Sequence, residues 1–396
     1  MKIDLIIFSF HIIKMTSLTA SPEITSSITL PNISRSTEDN GTLEFQIDNV
    51  NTSVVNAIRR TLLSDIPCFV FKTFPDSDNE ATIHKNTCRF HNEILKQRLG
   101  CIPIYIKDLD TPVENLRVII KVKNDTDSIR YVTTNDFQIL DTQTGKYLSD
   151  SEVSSIFPPS GPPANGFILF TRLRPKISAS IPGEEVDIES KISVSSAKNS
   201  GMYNTCSTAT YFMTSDPIKQ NSEWASLRDS FEEKGFTTEE IDKERQNWYL
   251  LDAKRFVKKD SFIFKIETVG VYTNRELLQK ACSLIIDKLD VVEKLAQQQL
   301  IEIVTSKTTL PNSYDIILKN YDYTLGKILE YIIHTDYFKT NKRLHFIGFI
   351  KEHPHDEFSI IRLSFINEVE PKSEINTMIE YSCQVGKRIL QHIKDL

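Results

Sequence analysis

Histidines near the C-terminus are the side chains in this chain of 396 residues whose types and spacing come nearest to a reaction centre. His345, His353 and His355 lie close to Asp356, and a His-x-His spacing sets two imidazoles on one face of a strand, as a hydrolytic metal requires. Pro354 stands between two of them and reads as a turn, because proline cannot donate to a strand ladder. A metal-dependent hydrolase built on His345, His353 and His355 is therefore the alternative reading, and no metal or other cofactor is expected. The sequence has no glycine-rich phosphate loop, no Asp-x-Asp cluster for Mg²⁺ and no nucleophile elbow. The paired acids of "GEEVD" (Gly183 to Asp187) sit in a charged strand lead-in, where such groups stay solvated.

A different chemistry is offered by the adjacent Arg59 and Arg60 in "NVNTSVVNAIRRTLLSDIPCF". A guanidinium is a planar fork that binds a carboxylate or carbonyls through two hydrogen bonds, which suits an interface better than lysine's point charge. The element positioning this pair is an amphipathic helix. Val54, Ile58 and Leu62 recur at helical spacing, Asn51 or Ser53 can cap the start, and Pro67 stops it. At about 100° per residue Arg60 shares the face opposite Ile58 with Asn56, while Arg59 sits at the border beside Val55 and Leu63. Arg98 admits a similar reading, or it closes its own helix before a Gly100 cap.

The composition, 40% hydrophobic and 25% charged, is that of a chain with a sizeable core. A formal charge of −6 without a long Lys/Arg run argues against a protein that grips nucleic acid by itself, and no direct sequence-specific nucleic acid binding is expected. The six cysteines are scattered without a CxxC pair, which speaks against a zinc ribbon, an iron-sulfur cluster or a disulfide framework and fits reduced thiols. "MKIDLIIFSFHIIKM" is too short to span a bilayer, which takes about 20 apolar residues, and Met15 reads as an alternative natural start. Neither a membrane anchor nor a cleaved signal peptide is expected; a secreted receptor would instead need cleavage near Ala20 and oxidised cysteines. Residues 1–40 read as a disordered lead-in.

An internal match organises the rest. "FQIDNVNTSVVNAIRRTLL" lies on "IILKNYDYTLGKILEYIIH" without a gap: Phe45 and Ile47 fall on Ile316 and Leu318, Val54, Ala57 and Ile58 on Leu325, Ile328 and Leu329, and Asn51 on Asp322. Each half then repeats a strand ("SFIFKIETVG", "FSIIRLSFI") before a long helix with an apolar stripe, through Ile285 and Leu289 in one and Ile379 and Ile389 in the other. The expectation is an α+β chain of two similar modules. The first spans residues 41–110 and 258–300, interrupted by a mainly β insertion with two helices at 111–257; a linker at 301–313 leads to the second module at 314–396. Val54, Ile58, Leu62, Ile285, Leu289, Leu325, Ile328, Leu329, Ile332, Ile379 and Ile389 would form the core between the modules.

Over residues 41–396 these motifs resemble the α-like assembly subunits of multi-subunit DNA-dependent RNA polymerases. "NAIRRTLLSDIP" and "FHNEILKQRLGCIPI" are similar to the third-largest eukaryotic-type subunit, its archaeal counterpart and the bacterial α N-terminal domain. "YDYTLGKILEYII" and "FIGFIKEHPHD" resemble the eleventh-largest eukaryotic-type subunit and its archaeal counterpart. Asn92, Lys96-Gln97 and Tyr323 depart from the usual pattern. The resemblance implies a noncatalytic scaffold whose two α-like modules dimerise within one chain, with large-subunit contacts at Asn56, Arg59, Arg60, Glu93, Arg98 and Gly100 and a second-half motif of Asp322, Thr324, Gly326, His353 and Pro354. The implied partners are the two largest polymerase subunits and small polymerase subunits. Such fusions resemble those of large DNA viruses, implying an intracellular site in host cytoplasm or nucleus, or in the virion. One chain carrying both modules holds them at an effective concentration on the order of millimolar.

Overall fold

Each half of the chain folds a four-stranded antiparallel sheet, and the two sheets share one neighbour order. In the first, β1 (Asn32–Asp39), β2 (Thr42–Asp48), β13 (Val257–Thr268) and β12 (Cys206–Ser215) lie side by side. In the second, the order is β14 (Glu302–Thr305), β15 (Ser313–Lys319), β17 (Phe358–Phe365) and β16 (Leu344–Ile350). The structure, a computed structural model, describes residues 26–159, 166–178 and 180–395. The leader at "MKIDLIIFSFHIIKM" and the middle of the "FPPSGPPANG" loop lie outside the described residues.

Two helices follow in equivalent places. After β2 comes α1 (Thr52–Ser64), and after β15 comes α7 (Tyr323–Ile333); β13 feeds α6 (Asn274–Gln297), and β17 feeds α8 (Pro371–Asp395). The starts are set by side chains. Asn51 accepts from the Ser53 backbone N–H at 2.9 Å and Asp322 from that of Thr324 at 2.9 Å, while Thr273 and Glu276 close a capping box on α6.

The apolar stripes of these four helices meet in one core. Val54, Ile58, Leu62, Ile285, Leu289, Leu325, Ile328, Leu329, Ile332, Ile379 and Ile389 all lie in a single buried cluster drawn from both halves. Burying one such side chain is worth about 1.5–3 kcal/mol, so the contact between the halves is chiefly hydrophobic. The long helices α6 and α8 pack closely because Gly386 has no side chain: a Cβ there would stand 3.1 Å from Leu289 and 3.4 Å from Ile332. At their edge Lys387 bonds Asp290 and Glu293 of α6, each at 2.5 Å. Burial works against the Lys387 charge, but these two carboxylates overcome it and raise its pKa.

Between α1 and β12 the chain builds β3 (Pro67–Val70), β4 (Ala81–Asn86), α2 (Asn92–Gly100), β5 (Leu116–Lys123), β6 (Arg130–Thr133), β7 (Gln138–Asp141), β8 (Lys146–Tyr147), α3 (Asp150–Ile156), β9 (Leu169–Leu173), β10 (Glu185–Lys191) and β11 (Ser193–Ser196). Five of these strands form the sheet β4-β10-β5-β7-β8 over a separate core. Two further helices, α4 (Pro217–Glu233) and α5 (Thr238–Leu250), stand between β12 and β13.

Several boundaries differ from those the sequence suggests. The lead-in assigned to residues 1–40 contains β1, and Ser26 and Ser27 hydrogen-bond the buried Asp336 of the second half. The linker at 301–313 contains β14. Both are edge strands, short or polar, whose alternation is too weak to read; pairing with a stronger neighbour on one side makes them strands. The insertion placed at 111–257 is also redistributed. Its core takes in Phe69, Phe71, Leu95, Leu99, Ile102 and Ile104 from upstream, while β12 pairs along β13 in the first module's sheet.

Candidate functional site

The N-terminus of α7 meets the middle of α1, and this brings the paired arginines against the second-half motif. Arg60 donates through Nε to the Thr324 hydroxyl at 2.8 Å and through its terminal nitrogen to Asp322 Oδ2 at 2.6 Å. Asp322 therefore does two things at once, since its other oxygen caps α7. Burial pushes the Asp322 carboxyl up, but the Thr324 backbone N–H and hydroxyl together with Arg60 outweigh it and hold the pKa below the ordinary value. Arg60, expected to face a third party, bonds across the seam between the halves and stays partly exposed. The sequence could not show this, because α7 lies far along the chain.

Arg59 is placed differently. Its Nε donates to Asn56 Oδ1 one turn back at 3.0 Å, and it has no carboxylate partner among the described residues. Asn56 thus orients Arg59. Both are partly exposed at the border of α1.

Around Arg60 a cavity of about 610 Å³ opens between the halves and the insertion. Its lining balances Arg60, Lys198, Lys288 and Lys351 against Asp65, Asp322, Asp356 and Glu357. Lys288 of α6 pairs with Asp65 at the end of α1. Among the described residues no histidine or cysteine lines it, and its balanced charge suits a polar protein surface better than a free anion.

The remaining positions from the sequence are dispersed. Glu93 is exposed in the first turn of α2, near His91. Arg98, partly exposed, does not cap its own helix: it donates to the Phe170 and Leu169 carbonyls of β9 at 2.6 Å each and lies over the Phe90 ring. Gly100 is not a left-handed cap, since α2 ends at Cys101 in right-handed backbone. Its small size matters instead, because a Cβ would come 2.8 Å from the Thr73 hydroxyl and 3.1 Å from the Met202 sulfur. Gly326 is more crowded: a Cβ would fall 1.9 Å from the Phe349 ring, which also packs edge-on against Tyr323.

His353, Pro354 and His355 form the exposed turn between β16 and β17. His353 Nδ1 accepts from the His355 backbone N–H at 3.1 Å, and Asp356 accepts from the His353 backbone N–H at 2.9 Å, so these groups hold the turn together. His345 stands on β16 itself. Among the described residues no group of three or more His, Cys, Asp or Glu side chains is placed to hold a metal ion. All six cysteines are unpaired thiols, and burial pushes Cys68 and Cys206 up to about 11 and Cys282 to about 12. No described helix is long and apolar enough to cross a membrane.

This geometry, with strand-helix units joined through an apolar helical seam, can be set beside known proteins. The family model of the RNA polymerase Rpb3/Rpb11 dimerisation domain matches residues 44–289. The chain belongs to this family. It is thereby an α-like assembly subunit, and the match spans the first half including the insertion. Over 287 residues it is 23% identical to "DNA-directed RNA polymerases I and III subunit rpac1" of Dictyostelium discoideum, covering 64% of this chain and 78% of that protein. The Mus musculus subunit RPAC1 is 22% identical over 303 residues, covering 64% of this chain and 83% of its own. A shorter stretch of 67 residues, 17% of each chain, is 33% identical to the Homo sapiens subunit.

Within the family's matched region the sequence missed two seam residues, Lys288 and Asp65. The signal for Lys288 was faint: a lysine beside the buried Leu289 whose stem must run along the helix seam. Gly386 was also missed, although a glycine in line with Ser382 and Ile389 on an apolar helix face signals close approach.

Proposed function

We propose that the chain is a noncatalytic assembly scaffold of a DNA-dependent RNA polymerase, whose two modules form an intramolecular pseudo-dimer that gathers the two largest catalytic subunits. The single observation that carries this is the continuous core of α1, α6, α7 and α8 drawn from both halves. A platform joined this way exists before any partner arrives, so partner binding need not also meet a dimerisation step. Arg59 is the contact of choice for the second-largest subunit, because Arg60 already holds Asp322 and Thr324 while Arg59 has no carboxylate partner among the described residues. Small polymerase subunits would dock beside it. The fused arrangement and the unpaired thiols support a viral polymerase working inside host cells.

The test is affinity purification of the tagged full-length chain from its native source, as wild type, Arg59→Ala and Arg60→Ala. The wild type should recover two large polymerase subunits. Arg59→Ala should lose most of that recovery at unchanged melting temperature, as an interface arginine anchor worth about 2 kcal/mol would. Elution of the wild type without large subunits under gentle salt would sink the scaffold reading.

A further inference from the structure

A second depression lies on the insertion and shares no lining residue with the seam cavity. It encloses about 330 Å³, within the range of ligand pockets. Its floor is β9 from Thr171 onward; Arg89 and Phe90 from the loop before α2 form one wall, and Ile129 from the loop before β6 forms another.

Three arginines, Arg89, Arg172 and Arg174, line this cleft together with one carboxylate, Glu184. That carboxylate is already used. Glu184, which its place in "GEEVD" suggested would stay solvated, is only 6% exposed and takes the Arg174 Nε at 2.5 Å and the Arg174 backbone N–H at 2.7 Å, a partner just past β9 that the local sequence does not show. Arg89 and Arg172 are both exposed and have no carboxylate partner among the described residues. The local sign is therefore opposite to that of the whole chain, which carries −6. Arg98 lies 5.6 Å from the centre of the Phe90 ring, which fixes that wall and adds to the positive potential behind it. Apolar surface is interleaved with the cations: Phe90, the buried Leu173, and Ile129, which is half exposed.

We propose that this cleft is a second docking site, and that it takes an acidic, partly apolar peptide segment of another polypeptide. Carboxylates of the segment bind Arg89 and Arg172, and an aliphatic or aromatic side chain between them packs on Phe90 and Ile129. Arginine forks suit carboxylates geometrically, and the apolar wall discriminates against a free anion. A nucleic acid strand is less well served. It needs a basic groove that tracks successive phosphates and several stacking rings, whereas here the cations are confined to one small cleft with a single ring on an acidic chain. The inference stands on the insertion alone and does not depend on the polymerase reading.

The experiment is fluorescence anisotropy on the full chain with a labelled glutamate-rich octapeptide containing one leucine and one phenylalanine. Three controls run beside it: the glutamine version of the peptide, a labelled single-stranded oligo-dT of equal length, and the chain carrying Arg89→Glu with Arg172→Glu. Binding by the wild type, weakened tenfold or more both by the charge reversals and by glutamine for glutamate, supports the site. Arg89→Ala with Arg172→Ala serves if the reversals disturb folding by circular dichroism. Equal binding by wild type and variant, absence of binding at millimolar peptide, or tighter binding of the oligonucleotide would each overturn it.

Discussion

The two modules have the same design and opposite surfaces, and the difference shows what each face can do. Asn51 and Ser53 open α1 where Asp322 and Thr324 open α7. Beyond the caps the equivalence ends. Where α1 has Asn56, Arg59 and Arg60, α7 has Lys327, Glu330 and Tyr331. Lys327 and Glu330 neutralise each other at 2.5 Å, and Glu330 also accepts from the Phe349 backbone N–H. Among the described residues the Arg59 side chain bonds only its neutral neighbour Asn56. Arg60 reaches across to the α7 cap, but its counterpart Tyr331 carries no charge: burial, with Asp260 and Asp336 nearby, pushes its phenol up to about 12. The Ser53 hydroxyl, equivalent to the one Arg60 holds on Thr324, is buried without a partner among the described residues. One half offers an unpaired cation and the other a neutralised face, so a partner that meets both must distinguish them.

The surest way to break the comparison is to separate the modules. Leu289→Ala removes the α6 side chain against which Gly386 of α8 is seated, and the expected loss is about 2–5 kcal/mol, read from the urea midpoint of the whole chain. Next comes Gly326→Ala, which forces Phe349 off α7. About 1–3 kcal/mol is expected, and the equivalent Val55→Ala should show a cavity cost instead of overpacking, so the two helices respond to opposite changes of volume.

Asp322→Ala should cost about 1 kcal/mol, mostly through the lost cap. Because Arg60 and Asp322 are 38% and 42% exposed, their coupling in a double-mutant cycle should stay under about 1 kcal/mol. The pH dependence has a definite sign. A carboxyl whose folded pKa is depressed contributes fully above its unfolded value, near 3.9, and loses that contribution as pH falls through the lower folded value. Acid unfolding of Asp322→Asn should therefore be shallower than that of the wild type; equal slopes would remove this pair from the seam's energetics. Arg59→Ala should change stability least, within about 0.5 kcal/mol, while weakening partner recovery most.

Much of this organisation was legible in sequence. Every residue named for the helical stripes, from Val54 to Ile389, is buried in one cluster, because a helix with a wide apolar face can satisfy it only against another. The N-cap at Asn51 and its match at Asp322 were legible for the same local reason, whereas the cap expected at Gly100 was not formed. The first and fourth strands of the repeated sheets were less so. β1 and β14 carry little alternation, and β12 was hidden inside the insertion, yet the two sheets order their strands alike. Knowing that order, the polar stretch before β2 and the one before β15 could have been matched as equivalent edges.

The sequence by itself determined the family, the amphipathic helices, their N-caps and the internal repeat, since each is written in nearby residues by side-chain period or turn chemistry. Only the tertiary structure decided which of two adjacent arginines is used within the molecule and which stays outside. That choice rests on Asp322 and Thr324, which local pattern cannot bring beside Arg60. It likewise decided that Arg98 serves β9 and that Gly100, Gly326 and Gly386 are spaces for other side chains. Hydrogen-bond partners and close approaches between distant segments are fixed when the cores pack, and no period in the chain encodes them.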